Sequence, residues 1–163
     1  MSFNKLGHNG AVANSTRAVS AGGYSPSAYF NAIEFVTIMT TGDSNDFGDL
    51  IVPKYAMGSF SSPTRGLFCG GDPGTSPNTT DDVDFIEIAT LGNAQDFGDL
   101  IVAARHAGGT SSCTRAVCTS GPGFEGSISY VQIATKGNAV DYGDMSETRR
   151  GLAGCSNAHG GLG

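Results

Sequence analysis

The chain lacks the features that mark most disordered, nucleic-acid-binding and membrane proteins. Only 15% of its 163 residues are charged and 39% are hydrophobic, the reverse of the balance that keeps a chain disordered. Its nine Lys and Arg residues are scattered in a chain of net charge −6, whereas binding a phosphate backbone needs clustered positive charge. No apolar run approaches the roughly 20 residues of a membrane span, and the first residues contain no apolar signal core. We therefore expect a protein that is made in the cytosol and stays soluble, with neither nucleic acid nor a membrane as partner.

Close spacings of thiol ligands are also missing. The cysteines Cys69, Cys113, Cys118 and Cys155 contain no Cys-x-x-Cys pair, which a structural zinc site requires. They fall at non-equivalent points of the internal repeat described below, so no repeated bridge is implied. We expect reduced thiols in strands, the usual state in a cytosolic protein.

The histidines and serines form no catalytic or metal-binding pattern. No His-Glu-x-x-His or His-x-His frame is present. His8 and His106 hold equivalent positions of the repeat and His159 does not, so we interpret them as strand-edge residues. Ser156, in a Gly-Cys-Ser-Asn-Ala segment, is also a repeated position and not a nucleophile on a strand-to-helix turn. The sequence therefore predicts no catalytic residues, no metal, no cofactor and no enzymatic activity.

What the chain has in abundance is glycine, with 25 residues, and an internal repeat. A motif close to Ile-Ala-Thr-x-Gly-Asn-Ala-x-Asp-Phe-Gly-Asp occurs at residues 38–52, 88–102 and, more diverged, 133–145. The first aspartate of its Asp-aromatic-Gly-Asp box recurs after 50 and then 45 residues, at Asp46, Asp96 and Asp141. A repeat of this period indicates stacked supersecondary units. Abundant glycine with short apolar runs indicates turns and strands, and hence an all-β fold.

A second motif, Thr-Arg followed by an apolar run and glycines, recurs out of phase with the first. Its arginines are Arg17, Arg65 and Arg115, at steps of 48 and 50 residues. Together the two motifs divide each unit into four predicted strands. The first strands are at residues 10–14, 57–61 and 107–112, the second at 18–21, 66–69 and 116–119, the third at 33–38, 83–88 and 128–133, and the fourth at 46–52, 96–102 and 141–145. The apolar pattern of the third strand predicts burial on both of its faces.

The repeat predicts a single domain over residues 1–163 with loops of variable length. Its units are at approximately 7–52, 55–102 and 105–147, with a partial fourth at 150–163. The segments between the second and third strands are rich in Pro, Ser, Gly and Asp, and are at residues 24–31, 72–82 and 122–127. Because length varies here while the strands keep register, we expect these loops at one edge of the scaffold, where binding function usually lies.

The unit resembles a blade of a kelch-type β-propeller. The resemblance rests on glycine doublets at 22–23 and 70–71 that end an apolar strand, on the box with an aromatic residue, and on Arg105 and Arg150 before a small-residue strand. The kelch tryptophan is missing, and its place is taken by Phe47, Phe97 or Tyr142. More narrowly, the motifs resemble the kelch-like repeats of structural proteins of tailed phages, notably those that infect cyanobacteria. The resemblance implies an all-β propeller of four-stranded blades, about three in each chain.

Three blades are too few to close a ring. Propellers close with about four to eight blades, and each unclosed end would expose an apolar face and a strand edge. We therefore expect a second copy to complete a six-bladed ring about a two-fold axis, so that the first partner of the protein is itself, as a homodimer.

The Asp-x-Gly-Asp boxes admit two interpretations. Their clustered carboxylates could bind calcium, or the aspartates could cap a tight turn and form bidentate pairs with the repeated arginines between blades. Repetition in every unit favours structural pairs over a metal site. The residues concerned are Asp46, Asp49, Asp96, Asp99, Asp141 and Asp144, with Arg17, Arg65 and Arg115.

The resemblance implies a non-enzymatic structural or accessory protein of a virion, on a phage capsid or tail. It would mediate contacts with other virion proteins or attachment to a host-surface glycan, after synthesis in the host cytoplasm. The alternative is a free-standing, lectin-like propeller that binds carbohydrate by stacking aromatic residues on sugar faces. The candidates for that role are Tyr24, Tyr55 and Phe124, which lie near the loops.

Overall fold

The computed structural model describes residues 9–120, 126–149, 152 and 154, and every regular element in them is a β-strand. In chain order the strands are β1 (Gly10–Ala13), β2 (Arg17–Ala21), β3 (Tyr24–Ser25), β4 (Ala28–Tyr29), β5 (Ala32–Thr37), β6 (Asn45–Asp49), β7 (Gly58–Ser61), β8 (Arg65–Cys69), β9 (Thr80–Glu87), β10 (Gln95–Ala104), β11 (Gly108–Ser111), β12 (Arg115–Thr119), β13 (Ser127–Gln132) and β14 (Val140–Asp144). Within those ranges there is no helix that could span a membrane.

Twelve of the strands form three four-stranded antiparallel sheets, each from one repeat copy. Sheet 1 has the order β1-β2-β5-β6, sheet 2 the order β7-β8-β9-β10, and sheet 3 the order β11-β12-β13-β14. The fourth sheet is the small hairpin β3-β4. Short meanders of this kind follow from apolar runs of four to eight residues separated by glycine-rich turns. The described residues contain no closed ring of sheets.

All twelve strands predicted from the repeat are present, with small shifts at their ends. Each second strand begins at the arginine of the Thr-Arg motif, one residue earlier than predicted. Strand β9 begins at Thr80 instead of residue 83, and β6 ends at Asp49 instead of residue 52. The first of the predicted variable loops, at residues 24–31, contains the hairpin β3-β4.

A polar side chain fixes the turn between the first and second strand of every sheet. Asn14 accepts hydrogen bonds through Oδ1 from the backbone N–H groups of Thr16 and Arg17. Ser62 and Ser112 accept the equivalent bonds through Oγ. Such side chains mimic a backbone turn, which explains why Asn or Ser stands three residues before each arginine.

Two hydrophobic cores lie between the sheets and none lies within a sheet. The core between sheets 1 and 2 contains Val12, Val19, Ile33, Phe47, Phe68, Ile86 and Ile88. The core between sheets 2 and 3 contains Phe60, Leu67, Val83, Phe85, Phe97, Val131 and Ile133. Because full burial of one such side chain contributes about 1.5–3 kcal/mol, sheet–sheet packing dominates the stability of this protein.

The middle sheet alone is covered on both faces. In β9, the four consecutive residues Val83, Asp84, Phe85 and Ile86 are buried, as predicted for the third strand. In β5 and β13 buried positions are interrupted by half-buried or exposed ones. The prediction of burial on both faces is therefore wrong for sheets 1 and 3, because each has a neighbouring sheet on one side only.

Backbone contact between sheets requires glycine in the boxes. Gly48, Gly98 and Gly143 all have positive φ angles, of 146°, 139° and 134°. A Cβ at Gly98 would lie 2.6 Å from the Gly137 backbone of the next sheet, and Gly48 meets Gly92 in the same way. A Cβ at Gly143 would meet nothing within 4 Å. All three glycines therefore share the positive φ angle, but only Gly48 and Gly98 lie close to the backbone of a following sheet.

This difference makes Gly143 a matched control for Gly98. We expect Gly98→Ala to lower the free energy of unfolding by about 1–3 kcal/mol more than Gly143→Ala, because only the first change forces two sheets apart. Urea denaturation of both variants in dilute solution measures the difference. Equal losses would contradict the proposed inter-sheet clash and leave backbone conformation as the common cause.

Candidate functional site

The outer strand of each sheet is joined to the following sheet by backbone hydrogen bonds, and we call this contact a joint. In the joint between sheets 1 and 2, Gly92 N donates to Phe47 O over 2.8 Å, and Ala94 N donates to Asp49 O over 2.8 Å. Asp49 N in turn donates to Asn93 Oδ1. Each box therefore serves as a docking strand for the turn of the next sheet.

The joint between sheets 2 and 3 repeats every one of these bonds. Gly137 N donates to Phe97 O over 2.8 Å, and Ala139 N donates to Asp99 O over 2.7 Å. Asp99 N donates to Asn138 Oδ1 over 3.2 Å. The repeated Gly-Asn-Ala of the sequence is thus the half of the joint that receives the box of the preceding sheet.

The repeated arginines complete the joints, but with partners other than those predicted. Arg17 Nη1 donates to Ile88 O over 2.8 Å, and Arg65 Nη1 donates to Ile133 O over 2.9 Å. Within the described ranges no ion pair links these arginines to the boxes, and the one carboxylate partner is Glu87, bonded to Arg65. The predicted Arg–Asp pairs are wrong because each arginine crosses to a carbonyl of the next sheet.

The third arginine makes no such contact with a following sheet in the part of the chain that is described. Arg115 is exposed and lies over the Tyr130 ring, 4.5 Å from its centroid. Arg17 and Arg65 lie in the same way over Phe35 and Phe85. The cation–π contact therefore positions each arginine within its own sheet before any joint is made.

Turn capping was predicted for the aspartates of all three boxes, and the structure shows it for Asp96 and Asp141. Asp96 Oδ1 accepts a hydrogen bond from Gly98 N, and Asp141 Oδ1 accepts one from Gly143 N. One carboxylate group, that of Asp99, comes within 4.8 Å of Asp81 and Asp82. Asp82 Oδ2 already accepts a hydrogen bond from Thr80 Oγ1, and this acidic cluster by itself does not indicate a cation site.

Within the described residues, two sheet faces have no neighbouring sheet, one at each end of the row. The front face of sheet 1 is the face that carries Ala18, Ser20, Glu34 and Val36, and the rear face of sheet 3 carries Val117, Tyr130 and Tyr142. Ile38 is 50% exposed, whereas its repeat equivalents Ile88 and Ile133 are 0% and 1% exposed. Tyr142 is 58% exposed, whereas Phe47 and Phe97 are each 2% exposed. The same repeat positions that are core in the joints are therefore solvent-exposed at the ends.

An aromatic cluster lies at the loop edge, at the opposite end of the strands from the Thr-Arg turns. The rings of Tyr24 and Tyr55, both predicted as ligand-binding, have centroids 4.5 Å apart. Tyr29, which the sequence did not single out, lies 5.6 Å from Tyr55 and is 40% exposed. The remaining predicted aromatic residue, Phe124, lies outside the described residues. Tyr29 lies opposite Tyr24 in the hairpin β3-β4.

A buried carboxylate supports this cluster from below. Asp72 Oδ2 accepts hydrogen bonds from Tyr55 Oη over 3.1 Å and from Arg105 Nη1 over 2.8 Å, and Asp72 Oδ1 accepts one from Gly74 N. Burial, followed by the nearby Asp72 charge, raises the pKa of the Tyr55 phenol. Tyr55 is therefore a neutral donor at physiological pH, and its ring orientation is fixed.

His106 borders the same cluster, as an edge-on neighbour of Tyr55 at 6.5 Å between centroids. The backbone N–H of His106 donates a hydrogen bond to Ala56 O, and the φ of His106 is 54°. His106 therefore lies in the turn between β10 and β11, and its interpretation as a structural residue stays a prediction. His8, which holds the equivalent repeat position, lies outside the described residues, as do His159, Arg150, Cys155 and Ser156.

A buried ion pair lies in the joint between sheets 1 and 2. Lys54 and Asp84 are 0% and 1% exposed, with 3.3 Å between Lys54 Nζ and Asp84 Oδ2. Burial raises the pKa of the Asp84 carboxyl, and the Lys54 ammonium opposes that change. In the next joint the equivalent positions are held by Ala104 and Ser129, both buried. The joint thus accepts either two opposite charges or two small residues, and no sequence pattern predicted this exchange.

Two cysteines meet in the other joint. Cys69 Sγ and Cys118 Sγ lie 2.6 Å apart in the buried core between sheets 2 and 3. Both are free thiols, as is the exposed Cys113, in agreement with the prediction of reduced cysteines. The contact with Cys69, together with burial, raises the pKa of the Cys118 thiol, so the reactive thiolate is disfavoured.

No protein-family model matches this chain, and no curated protein is similar to it in sequence. The kelch-like and phage resemblances therefore remain predictions from the motifs.

We expect Lys54→Met to lower the free energy of unfolding by about 3–5 kcal/mol near neutral pH, because it leaves a buried carboxyl without its partner. The raised pKa means that the folded state holds the Asp84 proton more tightly than the unfolded state. This contribution is fully present below about pH 4 and is lost as the pH rises through the raised pKa. Because removal of the Lys54 ammonium raises the pKa of the Asp84 carboxyl further, the loss in Lys54→Met should grow as the pH rises above the range in which the unfolded-state carboxyl titrates.

Urea denaturation at several pH values measures this loss, with Lys136→Met as a control at an exposed lysine. A loss that does not change with pH, or that equals the loss in the control, would show that the pair contributes packing alone.

The cysteines supply a second prediction. In a Cys155→Ser background, a thiol reagent at neutral pH should titrate one thiol in the native protein, Cys113, and three after denaturation. Burial and the raised pKa of Cys118 protect the other two. Fast native titration of all three thiols would show that the joint between sheets 2 and 3 opens readily.

Proposed function

We propose that this protein is a non-enzymatic structural protein of a virion, a kelch-like propeller assembled from more than one copy that mediates attachment. In this proposal the sheets form a rigid row, the loops at one edge contact another virion protein or a host-surface glycan, and the chain performs no chemistry. The virion setting rests on the motif resemblance, and the binding role rests on the structure of the loop edge.

The observation that carries the proposal is that the two ends of the strands differ in structure: one end holds the joints and the other holds the loops. At one end, the repeated joints are made by backbone groups together with the repeated arginine and asparagine side chains. At the other, side chains of two loops converge, since a Cβ at Gly74 in the second loop would lie 2.6 Å from the ring of Tyr29 in the first. Loops positioned by a rigid scaffold are the usual place for binding.

The experiment is quantitative mass spectrometry of purified phage particles whose genome encodes this sequence. We expect the protein as a stoichiometric component that stays with the particle through a salt wash. Its presence only in the lysate, or in traces that the wash removes, would contradict the virion role.

A lectin-like function is the second candidate, and the tyrosine cluster favours it. The ring centroids of Tyr24 and Tyr29 lie 4.5 and 5.6 Å from that of Tyr55, which is hydrogen-bonded to the Asp72 carboxylate beside the Arg105 guanidinium. Stacking rings beside fixed hydrogen-bonding groups is the arrangement that sugars require. Tyr29 offers the most exposed ring of the three.

A glycan array with the purified protein separates the two candidates. Carbohydrate binding by the isolated protein that falls about two- to tenfold in Tyr29→Ala would favour the lectin, as an aromatic contact is worth about 0.5–1.5 kcal/mol. Leu91→Ala is the control, because Leu91 is also exposed but lies at the other end of the strands. Binding unchanged in Tyr29→Ala would exclude the cluster as a sugar site.

A further inference from the structure

We infer that the two uncovered faces are the halves of a third joint, which forms between two copies of the chain. The rear face of sheet 3 in one copy docks on the front face of sheet 1 in the other, and two such contacts close six sheets. This inference deepens the proposed function, since it defines the assembly that the proposal requires. It rests on residues that repeat the two internal joints position by position.

The residues that would supply the backbone donors and acceptors of the third joint are present and exposed. The acceptors Phe47 O and Phe97 O have Tyr142 O as their equivalent, and the donors Gly92 N and Gly137 N have Gly42 N as theirs. In the same register Ser44 N would donate to Asp144 O of the second copy. Gly143, with no atom within 4 Å of its Cβ position, leaves the space that Gly48 and Gly98 leave for the next sheet.

The arginine of the third joint is already oriented for it. Arg115 lies over Tyr130 as Arg17 lies over Phe35. The carbonyl equivalent to those of Ile88 and Ile133 is that of Ile38, whose side chain is half exposed. In the proposed joint, Arg115 donates to Ile38 O of the second copy.

Charge at the buried-pair position also matches between the two faces. The internal joints combine Lys54 with Asp84, and Ala104 with Ser129. The corresponding positions of the third joint are Arg149 at the end of unit 3 and Glu34 in β5. In the proposed joint a basic residue would therefore face an acidic one again. Arg149 now contacts only the exposed Glu147 in the described part of the chain.

The composition of the faces fits a contact between molecules. The front face of sheet 1 keeps Val36 and Ile38, and it borders a groove of about 500 Å³ that Ala18 and Ser20 also line. The rear face of sheet 3 has Tyr130 and Tyr142 where the internal joints have phenylalanine. Tyrosine combines apolar area with a polar group that tolerates water before association, and it is enriched at interfaces for this reason.

The inner corner of the rear face is covered by the chain itself. Leu152 and Gly154 lie against Gly108 and Gly109 of β11, where β1 of a second copy would follow in register. The outer part of the face, from β12 to β14, is open. The inference is therefore tested at the outer part of the face. In the second copy, β1 can lie beside β11 only if the segment with Leu152 and Gly154 moves away from β11.

Engineered cysteines test the joint directly. Asp49 and Asn93 touch in the first internal joint, and their equivalents in the third joint are Asp144 and Asp43. We expect a mixture of Asp43→Cys and Asp144→Cys, in a Cys113→Ser, Cys155→Ser background, to form a disulfide-linked dimer under mild oxidation. Neither variant alone should cross-link, because the contact is head to tail.

The double variant Asp49→Cys with Asn93→Cys in the same background is the internal control, since it must cross-link within one chain. Cross-linking of the control but not of the mixture would overturn the inference. So would efficient cross-linking of either single variant, which would indicate a face-to-face dimer. A Gly154→Val change added to both cysteine variants should displace the inner segment from β11. We expect this mixture to cross-link as before. Loss of the cross-link would show that the two copies meet at the inner segment instead.

Native mass spectrometry supplies the second readout. The unmodified protein should have twice the chain mass of 16.6 kDa, and Tyr142→Asp should shift it to a monomer while Ile101→Asp, at another exposed apolar residue, should not. A monomer at tens of micromolar, or an open series of oligomers, would overturn the two-copy closure. A monomer in this measurement is compatible with the presence of the protein in particles. The result would therefore contradict the two-copy ring without contradicting the virion role.

Discussion

The structure depends on one contact, the hydrogen bonding of a box strand to the glycine turn of the next sheet. Because donors and acceptors are backbone groups, side chains at the contact must be small or absent, and Gly48 and Gly98 allow the approach. The contact also holds the apolar faces of neighbouring sheets together, so that Ile88 and Ile133 become fully buried. A sheet of four short strands has no core of its own, and its stability comes from its neighbours.

A row built in this way has two ends, and their chemistry differs from the chemistry of its interior. The interior joints vary in detail, with a charged pair in one and two thiols in the other, yet they keep the same backbone bonds. The ends keep the same backbone groups and exchange phenylalanine for tyrosine and alanine for serine. We would expect sheet faces that remain exposed to solvent to carry charged residues at these positions, as edge strands commonly do. Val36, Ile38 and Tyr142 are instead retained.

The structure separates assembly from recognition in space. Joints use the outer strands and the turns that follow the Thr-Arg motif, whereas the tyrosine cluster lies at the other end of the strands. The Asp72 carboxylate connects the two regions, since it receives hydrogen bonds from Tyr55 and from Arg105, which lies in the segment between sheets 2 and 3. Movement of one sheet against the next would therefore change the position of the aromatic rings.

Periodic features were accessible from the sequence, because each depends on local physics that repeats in every unit. Alternation of apolar residues predicted twelve strands, and the recurring glycines and Thr-Arg turns predicted three sheets with nearly correct ends. Contacts between units were not accessible in this way. The pairing of Arg17 with a backbone carbonyl, the meeting of Cys69 with Cys118, and the burial of Lys54 beside Asp84 all join residues whose positions in the repeat differ. Such contacts are decided by how one sheet lies on the next, and a one-dimensional pattern carries no information about that geometry.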